Sequence, residues 1–284
     1  MFINCKGKLI DLSSPIVMGI LNVTPDSFYD GGNYTEKEAI ELRINELINL
    51  GADIIDIGAI STRPGAKFVS KDEEWKRLLP ALKIIKDKYQ DKCFSLDTFR
   101  SEIATKAVLD YGIGMINDIS AGELDKNMFK TIKSLNVPYI IMHMQGNPEN
   151  MQNNPIYKNV TLDIIKYFSE KITILFEIGI NDIIIDPGFG FGKTINHNYE
   201  LLANLDKFKV LNLPILVGLS RKSMIYRFLN ITPKEALNGT TVLNTYAIIK
   251  GANILRVHDI KEAKEAIILT NMLKNQTPNK STEF

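Results

Sequence analysis

Eight short apolar runs recur along this chain, at residues 16–21, 53–57, 93–96, 114–116, 139–142, 183–185, 214–217 and 254–257. Stretches with helical periodicity separate them, at about 36–50, 73–89, 101–111, 126–135, 161–178, 198–205, 235–250 and 260–274. Nearly continuous apolar runs of this length read as parallel strands buried on both faces. Eight strand–helix units favour closure into a barrel, and no G-x-G-x-x-G follows the first run to support an open doubly wound sheet. The expected fold class is therefore α/β, a single (β/α)8 TIM barrel. Residues 2–12, around Lys6-Gly7-Lys8, read as a short N-terminal β-hairpin closing the barrel floor. The barrel is expected to occupy 1–274, followed by a polar, disordered tail at 275–284.

Composition narrows the classes of function. A net charge of +1 over 284 residues gives no electrostatic case for a nucleic-acid partner. No apolar stretch approaches the roughly 18 residues of a membrane span, and the N-terminus MFINCKGKLIDL lacks a signal-peptide core. Cys5 and Cys93 are too few for a disulfide framework or a thiolate metal site. A cytoplasmic protein with small-molecule partners, and without nucleic acid or membrane, is expected.

Nearly every apolar run ends in a polar residue, and a parallel barrel gathers all eight strand ends around one mouth. Asp97 and Asp186 end the third and sixth runs, with Asn117 ending the fourth. A strand-terminal Asp is also a natural helix N-cap, but Asp186 precedes Pro187-Gly188-Phe189-Gly190-Phe191-Gly192-Lys193, a loop rather than a helix start. Two carboxylates and an amide facing one pocket suit a ligand with guanidine-like donors. Without such a ligand the carboxylates would repel and one pKa would rise. Lys222, between Ser220 and Ser223 after the seventh run, is either a Schiff-base lysine or a cation donating to a ligand carbonyl. Arg256 and His258 alternate at the end of the eighth run and so point the same way. They lie where this architecture usually binds phosphate, and Arg offers phosphate a matching fork. His143 has no metal partner at ligand spacing and reads as structural or supporting. The glycines at 188, 190 and 192 suit close backbone packing more than a phosphate cradle.

Collinear motifs extend these readings. They are GILNVTPDSF at 19–28, STRPGA at 61–66, SLDT at 95–98, INDIS at 116–120, HMQG at 143–146, DPGFGFGK at 186–193, GLSRKS at 218–223 and RVHD at 256–259. Together they resemble the dihydropteroate synthases, the folate-pathway transferases of the pterin-binding family, from about residue 13 to 270. The resemblance implies condensation of 6-hydroxymethyl-7,8-dihydropterin diphosphate with 4-aminobenzoate, giving 7,8-dihydropteroate and pyrophosphate. It places the pterin on Asp97, Asn117, Asp186, Lys222, Met142 and Gly218, and the diphosphate on Asn22, Arg256, His258 and Thr62. Aminobenzoate, and the sulfonamides that mimic it, would meet Thr62, Arg63, Pro64, Phe189 and Ser223. Lys222, Asp186, Asp30 and Arg63 are the implied catalytic residues, Mg2+ bound through Asn22 is the implied cofactor, and a homodimer is expected from the family alone. Dissociative substitution at the pterin methylene needs no protein nucleophile, which disfavours the Schiff-base role for Lys222.

One departure stands beside STRPGA, where Ala59-Ile60 replaces the Gly-Glu of many family members. The alternative is a pterin-binding methyltransferase module using methyl-tetrahydrofolate. It shares the pterin carboxylates but has no use for the diphosphate residues Arg256 and His258. A non-catalytic pterin-binding paralogue would show losses at the catalytic positions, and none is visible. An aldolase would form a borohydride-trappable adduct at Lys222.

Overall fold

The computed structural model describes residues 1–24, 36–60, 69–146, 151 and 155–276. It opens with an antiparallel hairpin, β1 (Phe2–Cys5) and β2 (Lys8–Asp11). Its two turn residues, Lys6 and Gly7, both have left-handed backbone (φ 55° and 81°), the combination that matches strand twist in a two-residue turn.

Eight parallel strands follow: β3 (Ile16–Asn22), β4 (Ile54–Gly58), β5 (Phe94–Asp97), β6 (Met115–Asp118), β7 (Tyr139–Met142), β8 (Ile183–Asp186), β9 (Leu216–Val217) and β10 (Ile254–Val257). The helices are α1 (Glu36–Asn49), α2 (Lys71–Lys88), α3 (Ser101–Tyr111), α4 (Met128–Leu135), α5 (Val160–Glu177), α6 (Ile195–Ala203), α7 (Ser223–Tyr226), α8 (Leu237–Lys250) and α9 (Ile260–Gln276). Strand order runs β8-β7-β6-β5-β4-β3-β10-β9. A parallel bridge between Ile185 and Ile215, with Ile185 N–H donating to Pro214 O at 2.9 Å, joins the two ends and closes the barrel.

Several boundaries differ from the sequence reading, by up to three residues. The sixth helix starts at Ile195 rather than 198, because Thr194 and His197 form a reciprocal capping box. It ends at Ala203 and gives way to a 3-10 segment, Leu205–Leu211. Helix α9 continues to Gln276, two residues into the expected tail; 277–284 lie outside the described residues. The short α7 had no periodic signature of its own.

Period-2 alternation divides every barrel strand between two environments. Val17, Leu21, Ile55, Ile57, Leu96, Ile116, Ile141, Ile185, Val217, Leu255 and Val257 point outward into the layer shared with the helices. The intervening residues point inward. Low in the barrel these are Ile16, Met18, Ile54, Met115, Ile140, Ile184, Leu216 and Ile254, and the hairpin residues Ile3 and Leu12 pack on them as a plug. The floor is thus sealed by apolar packing. Cys5 in β1 and Cys93 ahead of β5 form a disulfide, with Cα atoms 6.5 Å apart, which fastens this plug to the barrel wall. A single bridge is less than a framework, and counting cysteines in the sequence did not reveal it.

Candidate active site

Moving up the same inward face, side chains change from apolar to polar. Asp56, Asp97, Asn117, Asp186 and Arg256 each stand two residues beyond an inward-facing position on their own strand, and Asn22 and His258 stand at the rim. The register makes Gly58, Asp97 and Asn117 neighbours across β4, β5 and β6. Gly58 leaves room there: a Cβ on it would lie 3.6 Å from Asp97 Oδ2 and 3.8 Å from Asn22 Oδ1. Two oxygen acceptors therefore converge at one point of the mouth.

Arg256 lies lower than a simple phosphate clamp would. Its Nε donates to Asp56 Oδ2 at 2.7 Å and its Nη2 to Asp97 Oδ2 at 3.0 Å. Burial pushes the carboxyls of Asp97 and Asp186 above the usual range. At Asp97 the Arg256 charge opposes that shift while Asp56 adds to it. At Asp186 the Lys222 charge and the Gly188 N–H, donating to Oδ1 at 2.8 Å, oppose it. The anticipated raising of a carboxylate pKa is thus present, with desolvation as its main cause.

Lys222 enters from the loop after β9. Its Nζ donates to the Phe189 carbonyl and stands 4.9 Å from the centroid of the Phe191 ring. Burial lowers its pKa to about 8, against the attraction of Asp186. Its neighbour Arg221 has left-handed backbone (φ 53°) and points away. The Arg221 guanidinium forms a bidentate pair with Asp259 at 2.9 and 2.8 Å, tying the loop after β9 to the loop after β10. That tie stabilises an otherwise unfavourable conformation and brings Lys222 and His258 to one side of the mouth. Ser223, the first residue of α7, is half-buried beside them.

Ser220 fixes the position of His258. Its Oγ accepts the His258 backbone N–H at 3.2 Å and lies 3.0 Å from Nδ1. Burial and the Arg256 charge lower the His258 pKa to about 4, so the ring is neutral. Ser220 Oγ can pair with Nδ1 of the neutral ring as donor or as acceptor, and in both cases it holds the imidazole plane in place.

The DPGFGFGK loop is packed by contact between backbones. A Cβ on Gly188 would come within 2.0 Å of His143 O, and one on Gly192 within 2.6 Å of Gln145 O. Lys193, almost fully buried, donates to Gly188 O (2.9 Å) and Phe191 O (3.0 Å) and bonds His143 Nδ1 (3.1 Å). Burial, followed by the Lys193 charge, takes the His143 pKa down to about 2, and its ring stacks edge-on to Tyr167. His143 is thus a packed anchor for this loop.

One assignment needs correction. Phe189 does not face the mouth; its ring is fully buried between sheet and helices, and only its carbonyl reaches Lys222. Phe191 is the aromatic that faces the site, packed with Met142, Met144, Met151, Ile119 and Phe99 as an apolar wall. Alternation within the loop sends the two rings to opposite sides. Met142 stands in this wall, and a Cβ on Gly218 would lie 3.6 Å from Lys222 Nζ. Asp30, Thr62, Arg63 and Pro64 lie outside the described residues. The described residues that flank the segment carrying the last three are held from α2 and from the turn between β5 and α3. Arg77 donates to Ala59 O at 3.3 Å and Arg100 to Val69 O at 2.6 Å, while buried Glu74 accepts from Arg100 and from Thr98 (2.7 Å). Asp56, Ser220, Phe191 and Lys193 are the residues that sequence reasoning passed over as site residues.

The pterin-binding enzyme family matches residues 18–258. The dihydropteroate synthase of Escherichia coli K12 is 42% identical over 280 residues, 98% of each chain. This chain belongs to the dihydropteroate synthase family. A Yersinia pestis dihydropteroate synthase solved with a sulfonamide drug superposes with a TM-score of 0.90 at 39% identity, covering 97% of this chain and 100% of that one. The Xanthomonas albilineans dihydropteroate synthase solved with 7,8-dihydropteroate gives 0.86 at 34% identity, covering 96% and 99%. Membership of the dihydropteroate synthase family covers the barrel and all eight strand ends, so the methyl-folate alternative falls away.

Proposed function

We propose that this chain condenses 6-hydroxymethyl-7,8-dihydropterin diphosphate with 4-aminobenzoate, releasing pyrophosphate and forming 7,8-dihydropteroate. The observation that carries this reading is the inward array of Asp97, Asn117, Asp186 and Lys222 above a sealed floor. Carboxylates and an amide oxygen accept from the aminopyrimidinone edge of a pterin, and Lys222 donates to its ring carbonyl or N5. The Met142–Phe191 wall covers an apolar face, and Phe191, its ring 4.9 Å from Lys222 Nζ, would line the approach for aminobenzoate together with Ser223.

Substitution at the pterin methylene breaks the C–O bond, and the electron pair leaves on pyrophosphate. The aminobenzoate nitrogen then forms the new C–N bond and releases its proton to solvent. The ring delocalises the cation that develops, and His258 and Asn22 at the rim, with Thr62 and with Arg256 below them, would hold the departing diphosphate. Asp30, Arg63 and Pro64, outside the described residues, would serve the aminobenzoate side. Mg2+ fits the donor chemistry at Asn22, whose oxygen converges with Asp97 at Gly58. Among the described residues no cluster of three acidic, His or Cys side chains could hold a metal alone. The ion would therefore share its shell with the diphosphate, and it would supply charge neutralisation there.

A homodimer is proposed through α8 and α9. These packed neighbours leave Val242, Ile249, Ile268, Leu269, Met272 and Leu273 exposed. The cytoplasm is the proposed location; among the described residues no helix is long and apolar enough to cross a membrane. The deciding assay is pyrophosphate release with and without aminobenzoate and Mg2+, alongside dihydropteroate detection. Release coupled to dihydropteroate supports the synthase. Pterin binding with neither product would refute it.

A further inference from the structure

Of the three carboxylates inside the barrel among the described residues, Asp56 alone has no part in the reaction proposed above. It is fully buried on β4, one inward step below Gly58. Its Oδ2 accepts from Arg256 Nε at 2.7 Å and from Asn117 Nδ2 at 3.0 Å. Its Oδ1 is buried without a hydrogen-bond partner, as is Oγ of Ser95, its register neighbour on β5. A half-satisfied buried carboxylate is a poor device for stability, since an apolar residue would continue the packing of Ile54 below it without that desolvation cost.

We propose that Asp56 is a positioning residue that fixes the hydrogen-bonding face of the pterin pocket. The inference rests on the pterin reading. An asparagine amide can be turned either way, and its oxygen and nitrogen lie at opposite ends. Asp56 offers only acceptors, so turning Asn117 over would set its oxygen against a carboxylate oxygen. Asp56 therefore holds the Asn117 nitrogen inward and leaves the Asn117 oxygen for the ligand. Beside Asp97 and Asp186, that oxygen completes a face of acceptors, which selects a ring edge carrying an exocyclic amine and an N–H. The opposite orientation would offer an NH2 that such an amine cannot accept. Asp56 also holds one arm of Arg256 while Asp97 holds the other, which fixes the guanidinium between them.

The test compares the pterin diphosphate with an analogue whose 2-amino group is replaced by methyl, in the wild type, Asp56→Ala and Asp56→Asn. Loss of the acceptor in Asp56→Ala is expected to raise KM for the pterin about tenfold, the scale of one charge-assisted hydrogen bond. The wild-type preference for the 2-amino over the 2-methyl compound should fall by a similar factor. KM for aminobenzoate at saturating pterin should change less than about twofold, because that site lies above Asp56. Asp56→Asn, whose carbonyl still accepts from both donors, should recover most of the preference. If the alanine variant does not fold, Asp56→Ser reads the same ratio, its hydroxyl being too short to serve both donors. A merely structural defect weakens both compounds equally, and an unchanged ratio overturns the inference. Failure of the wild type to turn over the parent compound would instead overturn the pterin reading, and the inference with it.

Discussion

Gly188 and Gly190 stand two residues apart in the DPGFGFGK loop with nearly the same left-handed backbone, φ 72° and 83°. Their surroundings differ sharply. A Cβ on Gly190 would meet nothing closer than Lys222 Cδ at 3.4 Å, whereas one on Gly188 would lie 2.0 Å from the His143 carbonyl oxygen. Gly190→Ala should therefore cost only the left-handed conformation, about 1–2 kcal/mol. Gly188→Ala adds the displacement of a backbone segment held by Lys193 to Gly188 O (2.9 Å) and by Gly188 N–H to Asp186 (2.8 Å). Each is a hydrogen bond to a charged group, and losing either costs about 1.5–3 kcal/mol. The total for Gly188→Ala is then about 2.5–5 kcal/mol. At about 2–3 °C per kcal/mol for a chain of this size, the expected drop in Tm is about 2–6 °C for Gly190→Ala and about 5–15 °C for Gly188→Ala. Thermal unfolding followed by circular dichroism reads both. The Gly188 variant should also lose pterin affinity, because Asp186 is positioned by the same loop. Equal Tm losses for the two variants would refute the close-approach reasoning and leave backbone strain as the whole effect.

The paired phenylalanines should separate stability from substrate binding. Phe191→Leu is expected to raise KM for aminobenzoate with a small change in Tm, whereas Phe189→Leu, in the outer core, should lower Tm by several degrees and leave that KM unchanged. Reduction of the Cys5–Cys93 bridge, with a sequence separation of 88, releases a loop whose closure entropy is worth about 4–5 kcal/mol. Dithiothreitol should lower Tm accordingly, and Cys5→Ser should abolish that response; an unaltered melt would refute the staple. His258 is neutral when folded, with a pKa near 4 against 6.5 in its ordinary state. Its contribution is complete above pH 6.5 and is lost as pH falls toward 4, at most about 3 kcal/mol. Urea titration of wild type and His258→Gln across this window should show a steeper acid limb in the wild type. Lys222, lowered to about 8, should give pterin kcat/KM an alkaline limb near that pH, since the ammonium donor is lost there; a limb near 10.5 would refute its burial.

Most of the barrel was legible because strands buried on both faces leave apolar runs that little else imitates. What periodicity missed was set by local contacts. The capping box at Thr194 moved one helix start, and the four-residue α7 is barely one helical turn, too short for the pattern to repeat. Asp97, Asn117 and Asp186 were visible because each ends a run. Asp56 was not, because it lies inside IIDIG with apolar residues on both sides. The signal was nevertheless present: a charge in an apolar strand, in phase with the inward residues Ile54 and Gly58. The exchange of Phe189 for Phe191 has the same origin, since assigning a face in a glycine-rich loop requires backbone angles that sequence spacing does not supply.

Phase also explains how one wall serves as core and as binding site. Every inward side chain on a strand has the same orientation, so height along the barrel alone decides whether it meets the hairpin plug or the mouth. Ile54, Asp56 and Gly58 span that change within a single strand. Below, apolar packing excludes water; above, charges stand at the edge of that dry layer, where their interactions are stronger than in solvent. Asp56 sits at the boundary. It is deep enough to be desolvated and high enough to reach Arg256 and Asn117, so its effect on the ligand passes through their orientation. Moving that carboxylate one inward step up would place it on the ligand at the Gly58 position, where an added Cβ would lie 3.6 Å from Asp97 Oδ2. Two carboxylates that close would repel and raise each other's pKa. Depth therefore lets the barrel use a third carboxylate to orient the site without adding a third charge to the surface that meets the substrate.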